Sequence, residues 1–149
     1  MTESRRAFIG RAGVVLGAVP LAGLAAGCAS TMVHRVRPDA GQIRLDIAAI
    51  YDLQPEGKGW AMVQVEGDDA PLFVVRQNES TYVTLSAVCT HRGCTVEAKT
   101  DRFECPCHGS RYSRLGDVLK GPAERPLRRY RTALLTNRRT LVIDYVRDA

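Results

Sequence analysis

Two short stretches hold the residues able to do chemistry. Residues 89–94 read CTHRGC and residues 105–112 read CPCHGSRY. Together they contain four of the chain's five cysteines and two of its three histidines. Cys89 and His91 are spaced Cys-x-His, and Cys105 and His108 are spaced Cys-x-x-His. Soft thiolate beside borderline imidazole is the ligand set of zinc, copper or iron–sulfur centres. Cys94 and Cys107 stand next to these pairs. On the residues alone, two plainer readings stay open. A zinc site with two cysteine and two histidine ligands would use the same four donors. It leaves Cys94 and Cys107 without a role, and zinc fingers usually group cysteines together and histidines together. A disulfide-stapled domain accounts for cysteines but not for histidines at matched positions.

The elements that must carry these loops are strands. From Gln42 onward, Ile43, Leu45 and Ile47 alternate with Arg44 and Asp46, a period of two. The turn cluster at 54–59 leads into a strand over Trp60–Val65. A second turn at 67–71 leads into Leu72–Arg76, and a third at 77–79 leads into Tyr82–Leu85. Beyond the motif region, Leu127–Thr136 and Thr140–Tyr145 read as a hairpin around Asn137 and Arg138. No stretch of 42–149 has the pattern of an amphipathic helix. Short strands near ten-residue spacing predict an all-β sandwich or barrel.

Upstream, residues 4–9 read SRRAFI, the twin-arginine export pattern. A weakly apolar run from Ala12 to Ala29 follows, interrupted by Gly13, Gly17, Pro20, Gly23 and Gly27, which makes a poor soluble helix. Residues 1–28 are therefore read as a signal or membrane anchor and kept out of the fold. Residues 24–28, LAAGC, are similar to a lipoprotein processing site, with Cys28 as the lipidated residue. Retention as a membrane span and cleavage elsewhere are the competing outcomes. Residues 29–41 have linker composition, and His34 reads as a solvated linker residue.

Composition excludes one class. The formal charge is +5, from 21 basic and 16 acidic residues. Three of those bases and one acid lie in the leader, so residues 28–149 carry 18 and 15, or +3. That mild excess, with no aromatic stacking motif, argues against nucleic acid. Six arginines and no acid fall within 125–139, a face open to an acidic partner or a solvated edge strand.

The two motif blocks resemble the signature of Rieske 2Fe–2S proteins, in which two cysteines bind one iron and two histidines the other. The resemblance is strong over about 86–127 and rests on strand pattern elsewhere. It implies Cys89 and Cys105 as thiolate ligands, His91 and His108 as imidazole ligands, and a disulfide between Cys94 and Cys107. Ser110 and Tyr112 match positions that donate hydrogen bonds to cluster sulfur in high-potential members. Gly121-Pro122 matches the proline loop over the cluster. The implied fold is a Rieske-type antiparallel β sandwich with an inserted cluster-binding subdomain, within a domain spanning 42–149. The implied function is electron transfer, as the iron–sulfur subunit of a quinol-oxidising, cytochrome bc-like complex. Its partners would be a membrane cytochrome b and a c-type cytochrome, on the outer face of a bacterial cytoplasmic membrane. One departure matters: Arg92 stands where quinol-oxidising relatives typically carry leucine, and a charge there costs desolvation on docking. It leaves open a relay role beside the catalytic subunit of another periplasmic oxidoreductase, such as arsenite oxidase, or a stand-alone Rieske lipoprotein.

Overall fold

The computed structural model describes residues 33–146, which form strands and turns with no α-helix among them. In chain order these are β1 (Val33–Val36), β2 (Gln42–Asp46), two 3-10 turns (Ile47–Ala49 and Tyr51–Leu53), β3 (Trp60–Val65), β4 (Leu72–Arg76) and β5 (Tyr82–Ser86). Then come four short strands, β6 (Glu97–Ala98), β7 (Phe103–Glu104), β8 (Arg111–Tyr112) and β9 (Val118–Lys120). The chain finishes with β10 (Arg129–Tyr130), β11 (Thr132–Leu134) and β12 (Thr140–Asp144).

Three sheets result. The base sheet has the order β1-β3-β4-β5-β10, the second sheet β11-β12-β2, and the third β6-β7-β8-β9. Side-chain alternation explains how they stack. Ala61, Val63, Val65, Leu72 and Val74 project from one face of the base sheet and pack with Ile43, Leu45, Leu141 and Ile143 of the second sheet. The opposite face presents Trp60, Phe73, Val75 and Leu85, which pack with Val96, Phe103, Cys105 and Tyr112 of the inserted region. The base sheet is thus covered on both sides. That is why β4 reads as an unbroken apolar run, with Leu72, Phe73, Val74 and Val75 all buried. Phe73 stacks on Phe103 with ring centroids 4.3 Å apart. Burying each ring contributes roughly 1.5–3 kcal/mol, and the pair seats the third sheet on the base.

Three expectations change in detail. Residues 33–36, placed in the linker, form β1, which pairs in parallel with β3 from Val33↔Met62 to Val36↔Val65. His34 lies in this strand opposite Val63. His34 and Val36 are half-buried and Val33 and Arg35 exposed, so these four edge residues show no clear apolar period. Ile47 leaves β2 because the Asp46 side chain accepts from the Ala48 N–H and starts a 3-10 turn. The long strand expected over 127–136 breaks at Arg131. Its first half, β10, joins β5 of the base sheet. Its second half, β11, makes the expected hairpin with β12. The signal segment and Cys28 lie outside the described residues, among which no helix is long and apolar enough to cross a membrane.

Candidate metal centre

The two motif loops fold in the same way. In the first, the Cys89 N–H donates to the Cys94 carbonyl at 2.8 Å, and the Gly93 N–H donates to the Cys89 carbonyl at 2.8 Å. In the second, the Cys105 N–H donates to the Ser110 carbonyl at 2.8 Å, and the Gly109 N–H to the Cys105 carbonyl at 2.9 Å. Each loop closes through a glycine in the left-handed region, Gly93 at φ 76° and Gly109 at φ 73°. Other residues adopt that conformation at a cost, which is why each loop has glycine four residues after its first cysteine.

The sulfurs share this symmetry. Cys89 and Cys105 are free thiols, 2% and 1% exposed. Burial pushes the Cys89 thiol up, but the Tyr112 hydroxyl, the His91 and Arg92 backbone N–H groups and the Cys105 thiol outweigh it, bringing it below its ordinary value. Cys105 moves the other way. Burial and the neighbouring Cys89 raise it, against the backbone N–H groups of Cys107 and His108. Two thiols within reach of each other cannot both ionise cheaply without a cation between them. Each loop nevertheless aims two backbone donors at its sulfur.

Cys94 and Cys107 form a disulfide that joins the loops, with Cα atoms 6.5 Å apart. Its two sulfurs and that of Cys105 all lie within 4.8 Å of one another. The bridge therefore belongs to the wall of the site, and the free donors are Cys89 and Cys105.

The imidazoles meet on the outer side. The rings of His91 and His108 are 4.9 Å apart, edge to face at 89°. His108 is exposed and His91 half-buried. The Nδ1 atom of His91 is buried and has no hydrogen-bond partner. A buried nitrogen left unpaired is costly unless something binds it, and the His108 ring lies beside it.

Around this set the structure gathers the remaining expected residues. Tyr112, fully buried, places its hydroxyl 3.2 Å from Cys89 Sγ. Burial and this contact raise its pKa and keep the phenol protonated as a donor. Ser110 is also fully buried, and its Oγ accepts from the Ala123 N–H at 3.0 Å. That bond pins the loop containing Gly121 and Pro122, which are joined by a cis peptide and exposed.

Two contributors were not singled out from the sequence. Thr90 donates its hydroxyl proton to the Arg125 carbonyl at 2.6 Å and its N–H to the Tyr112 oxygen at 3.3 Å. It ties the first loop to the proline loop and to the tyrosine. Its position between Cys89 and His91 was the available signal. Arg114 straps the third sheet to the base. It donates to the Thr100 and Lys58 carbonyls, both at 3.2 Å, and lies over the Trp60 and Phe103 rings at 5.8 and 5.9 Å. Burial lowers its pKa, although guanidinium stays charged.

The arginine run at 125–139 is largely neutralised. Arg129 pairs with Asp117, Arg131 with Asp144, Arg138 with Glu79 and Arg139 with Asp46. Arg128 donates to the Val146 carbonyl and covers the Tyr130 ring at 4.9 Å.

Two matched Cys/His loops, bridged by a disulfide and seated on a β sandwich, define a class that sequence comparison identifies directly. A family profile for the Rieske [2Fe-2S] domain matches residues 44–131, and the chain belongs to that family. Among curated relatives, the chloroplastic cytochrome b6-f complex iron-sulfur subunit of Bigelowiella natans is 44% identical over 70 residues, covering 44% of this chain and 28% of the relative. Subunit 1 of the same complex from Nostoc sp. (strain PCC 7120) is 42% identical over 65 residues, covering 42% of this chain and 36% of the relative. The matches therefore span about a third of those relatives' length. Among solved structures, the plasma membrane Rieske protein PetC3 from Synechocystis PCC 6803 is 34% identical with a TM-score of 0.51, covering 63% of this chain and 92% of that one. A chain of a hyperthermophilic respiratory complex III is 32% identical with a TM-score of 0.50, covering 66% of this chain and 71% of that one. The soluble domain of Rieske protein II (soxF) from Sulfolobus acidocaldarius, 19% identical with a TM-score of 0.54, shares the fold.

The residues present fit the family's cofactor. The site offers two thiols, two imidazoles and one unpartnered buried ring nitrogen, while its other two cysteines are already bonded to each other. The cofactor is one Rieske 2Fe–2S cluster.

Proposed function

We propose that this chain is the one-electron carrier of a cytochrome bc-like, quinol-oxidising complex, held at the outer face of a bacterial cytoplasmic membrane. The observation that carries the reading is the pair of matched loops, each contributing one free buried thiol and one imidazole, with the His108 ring open to a partner. Cys89 and Cys105 are assigned to one iron, and His91 and His108 to the other.

When bound, the cluster supplies a one-electron couple, raised in potential because neutral imidazoles replace two thiolates. The chain's own residues set the rest. His91 would ligate through the buried Nδ1, which would leave Nε2 as the proton site at the surface. His108 holds the second proton site beside it. Tyr112 donates to Cys89 Sγ, favouring the more negative, reduced state. Ser110 keeps the Gly121-Pro122 loop over the site through the Ala123 N–H, excluding water from the sulfur side. On this reading the Nε2 edge of one histidine, when deprotonated, would take one proton from quinol as this chain takes one electron; a membrane cytochrome b would house the quinol and take its second electron, and a c-type haem would accept the first.

A second reading is favoured by one residue. Arg92 is exposed between the ligand loops' histidine and glycine, where an apolar docking tip would be easier to desolvate. It suits a relay subunit attached to a catalytic oxidoreductase subunit.

Purification of the intact protein from membranes of its own host tests both. Co-purification of a b-type and a c-type cytochrome, with quinol-dependent reduction of the Rieske EPR signal, supports the first reading. Co-purification with a molybdopterin subunit and no b haem replaces it by the second. In the quinol case, Arg92→Leu preserves or increases quinol oxidation.

A further inference from the structure

The cluster half of the molecule treats its arginines unequally. Arg102 bonds Asp101 and Glu104, Arg111 faces Glu104, and Arg129 bonds Asp117. Arg114 is fixed by two carbonyls and two rings, and Arg128 by a carbonyl and a ring. Between residues 86 and 130, two arginines remain without a partner among the described residues, Arg92 and Arg125. Both are exposed, and both stand at the cluster end.

The loops that carry them are also tied to each other. Thr90 donates its hydroxyl to the Arg125 carbonyl at 2.6 Å, so the backbone bearing Arg125 is fastened two residues from Arg92. Thr90, Gly93 and Arg125 line one groove, whose apolar floor includes Val88, Pro126 and Leu127. Arg128 and Arg129, fixed as above, line the same groove, and the other nearby charges along the chain are Lys120 and a single carboxylate, Glu124, both exposed. A guanidinium is more weakly hydrated than an ammonium and gives up its water more readily at an interface. A chain that pairs or stacks its other arginines in this half, and leaves unpaired the one that follows His91 and the one whose backbone is bonded to Thr90, presents a positive edge where electrons must pass.

We propose that Arg92 and Arg125 form a two-arginine clamp that docks this protein onto a redox partner protein whose cofactor edge is ringed by carboxylates. The proposal rests on the electron-transfer reading above and adds the chemistry of the partner. Charges at the rim of a contact act mainly on the rate of encounter and on the choice of partner. The apolar floor of the groove receives the uncharged rim of the same partner surface.

The test uses the full-length, cluster-loaded protein and two purified c-type cytochromes of similar potential, one with carboxylates around its haem edge and one with lysines. Stopped-flow mixing measures oxidation of the reduced protein, and calorimetry measures complex formation. Oxidation by the acid-rimmed cytochrome is expected to be faster at low salt and to slow as ionic strength rises. The double variant Arg92→Gln/Arg125→Gln slows it at least about tenfold at low salt, with the EPR spectrum of the parent and with weaker binding by calorimetry. Arg92→Lys/Arg125→Lys restores most of the rate. Arg131→Gln/Arg138→Gln removes the same charge from paired positions and leaves the rate within about twofold, which excludes net charge as the cause. Equal rates for parent and Arg92→Gln/Arg125→Gln, or a preference for the lysine-rimmed cytochrome, overturn the clamp while the cluster still exchanges electrons. A protein with no Rieske EPR signal, or one oxidised by neither cytochrome, overturns the electron-transfer reading and the clamp together.

Discussion

The hydroxyl of Tyr112 lies 3.2 Å from Cys89 Sγ, and its proton has few other places to go. The Thr90 N–H points into the same oxygen at 3.3 Å, and the Thr90 hydroxyl gives its own proton to the Arg125 carbonyl. Tyr112 is left as a donor between the sulfur and the Thr90 oxygen 3.1 Å away. A sulfur that gains negative charge on reduction is the stronger acceptor.

Tyr112→Phe removes that donor with little change in shape. A hydrogen bond stronger by about 1.2 kcal/mol in the reduced state corresponds to roughly 50 mV for one electron. The midpoint potential is expected to fall by about that amount, with the cluster still bound. Redox titration followed by EPR checks it, and an unchanged potential removes the assigned role.

Ser110→Ala acts on two things. It strips the buried Ala123 N–H of its acceptor, at a cost of roughly 1–3 kcal/mol, and it loosens the loop at 121–122. Denaturant unfolding is expected to show the loss, and the potential is expected to fall as in the tyrosine variant. A stable protein with unchanged potential would show that Oγ serves neither purpose.

Opening the Cys94–Cys107 bridge separates the two ligand loops. The bridge closes a sequence separation of 13 residues, and a loop of about that length contributes about 3 kcal/mol in the chain-entropy account. The Cys94→Ala/Cys107→Ala variant is expected to lose that stability and to release iron faster under a chelator. Equal iron-release rates would mean that the base sheet alone holds the loops.

Gly93→Ala and Gly109→Ala isolate backbone strain. A Cβ added at either position meets nothing within 4 Å, so the cost is that of a left-handed alanine, about 1–2 kcal/mol. Thermal unfolding of the two variants measures it. A neutral result at both would show that the loops relax to another conformation.

Much of the fold was legible because strands covered on one face alternate and strands covered on both do not. β3 and β4 occupy the predicted spans for that reason. The linker reading failed at Val33–Val36 because an edge strand with only two half-buried residues over four positions has too little period to see. The arginine run stayed open between a docking face and a solvated edge strand because its counter-charges are distant in sequence; Asp46 meets Arg139 across 93 residues. The site was more legible than the surface. Loop grammar is local, and Cys89, His91, Cys105, His108, Ser110 and Tyr112 all lie in two short blocks. Thr90 escaped notice because its role depends on Arg125, which only the folded chain brings beside it.

The second apolar cluster has a thermodynamic consequence. Cys89 and Cys105 are packed among the same buried side chains as Phe73 and Leu85 of the base sheet. Whatever draws the two sulfurs together therefore also tightens the face of the sheet they rest on. Occupancy and folding become one linked equilibrium, in which binding adds RT ln(1 + [L]/Kd) to the stability of the whole domain. A loaded domain is then more resistant to unfolding than an empty one.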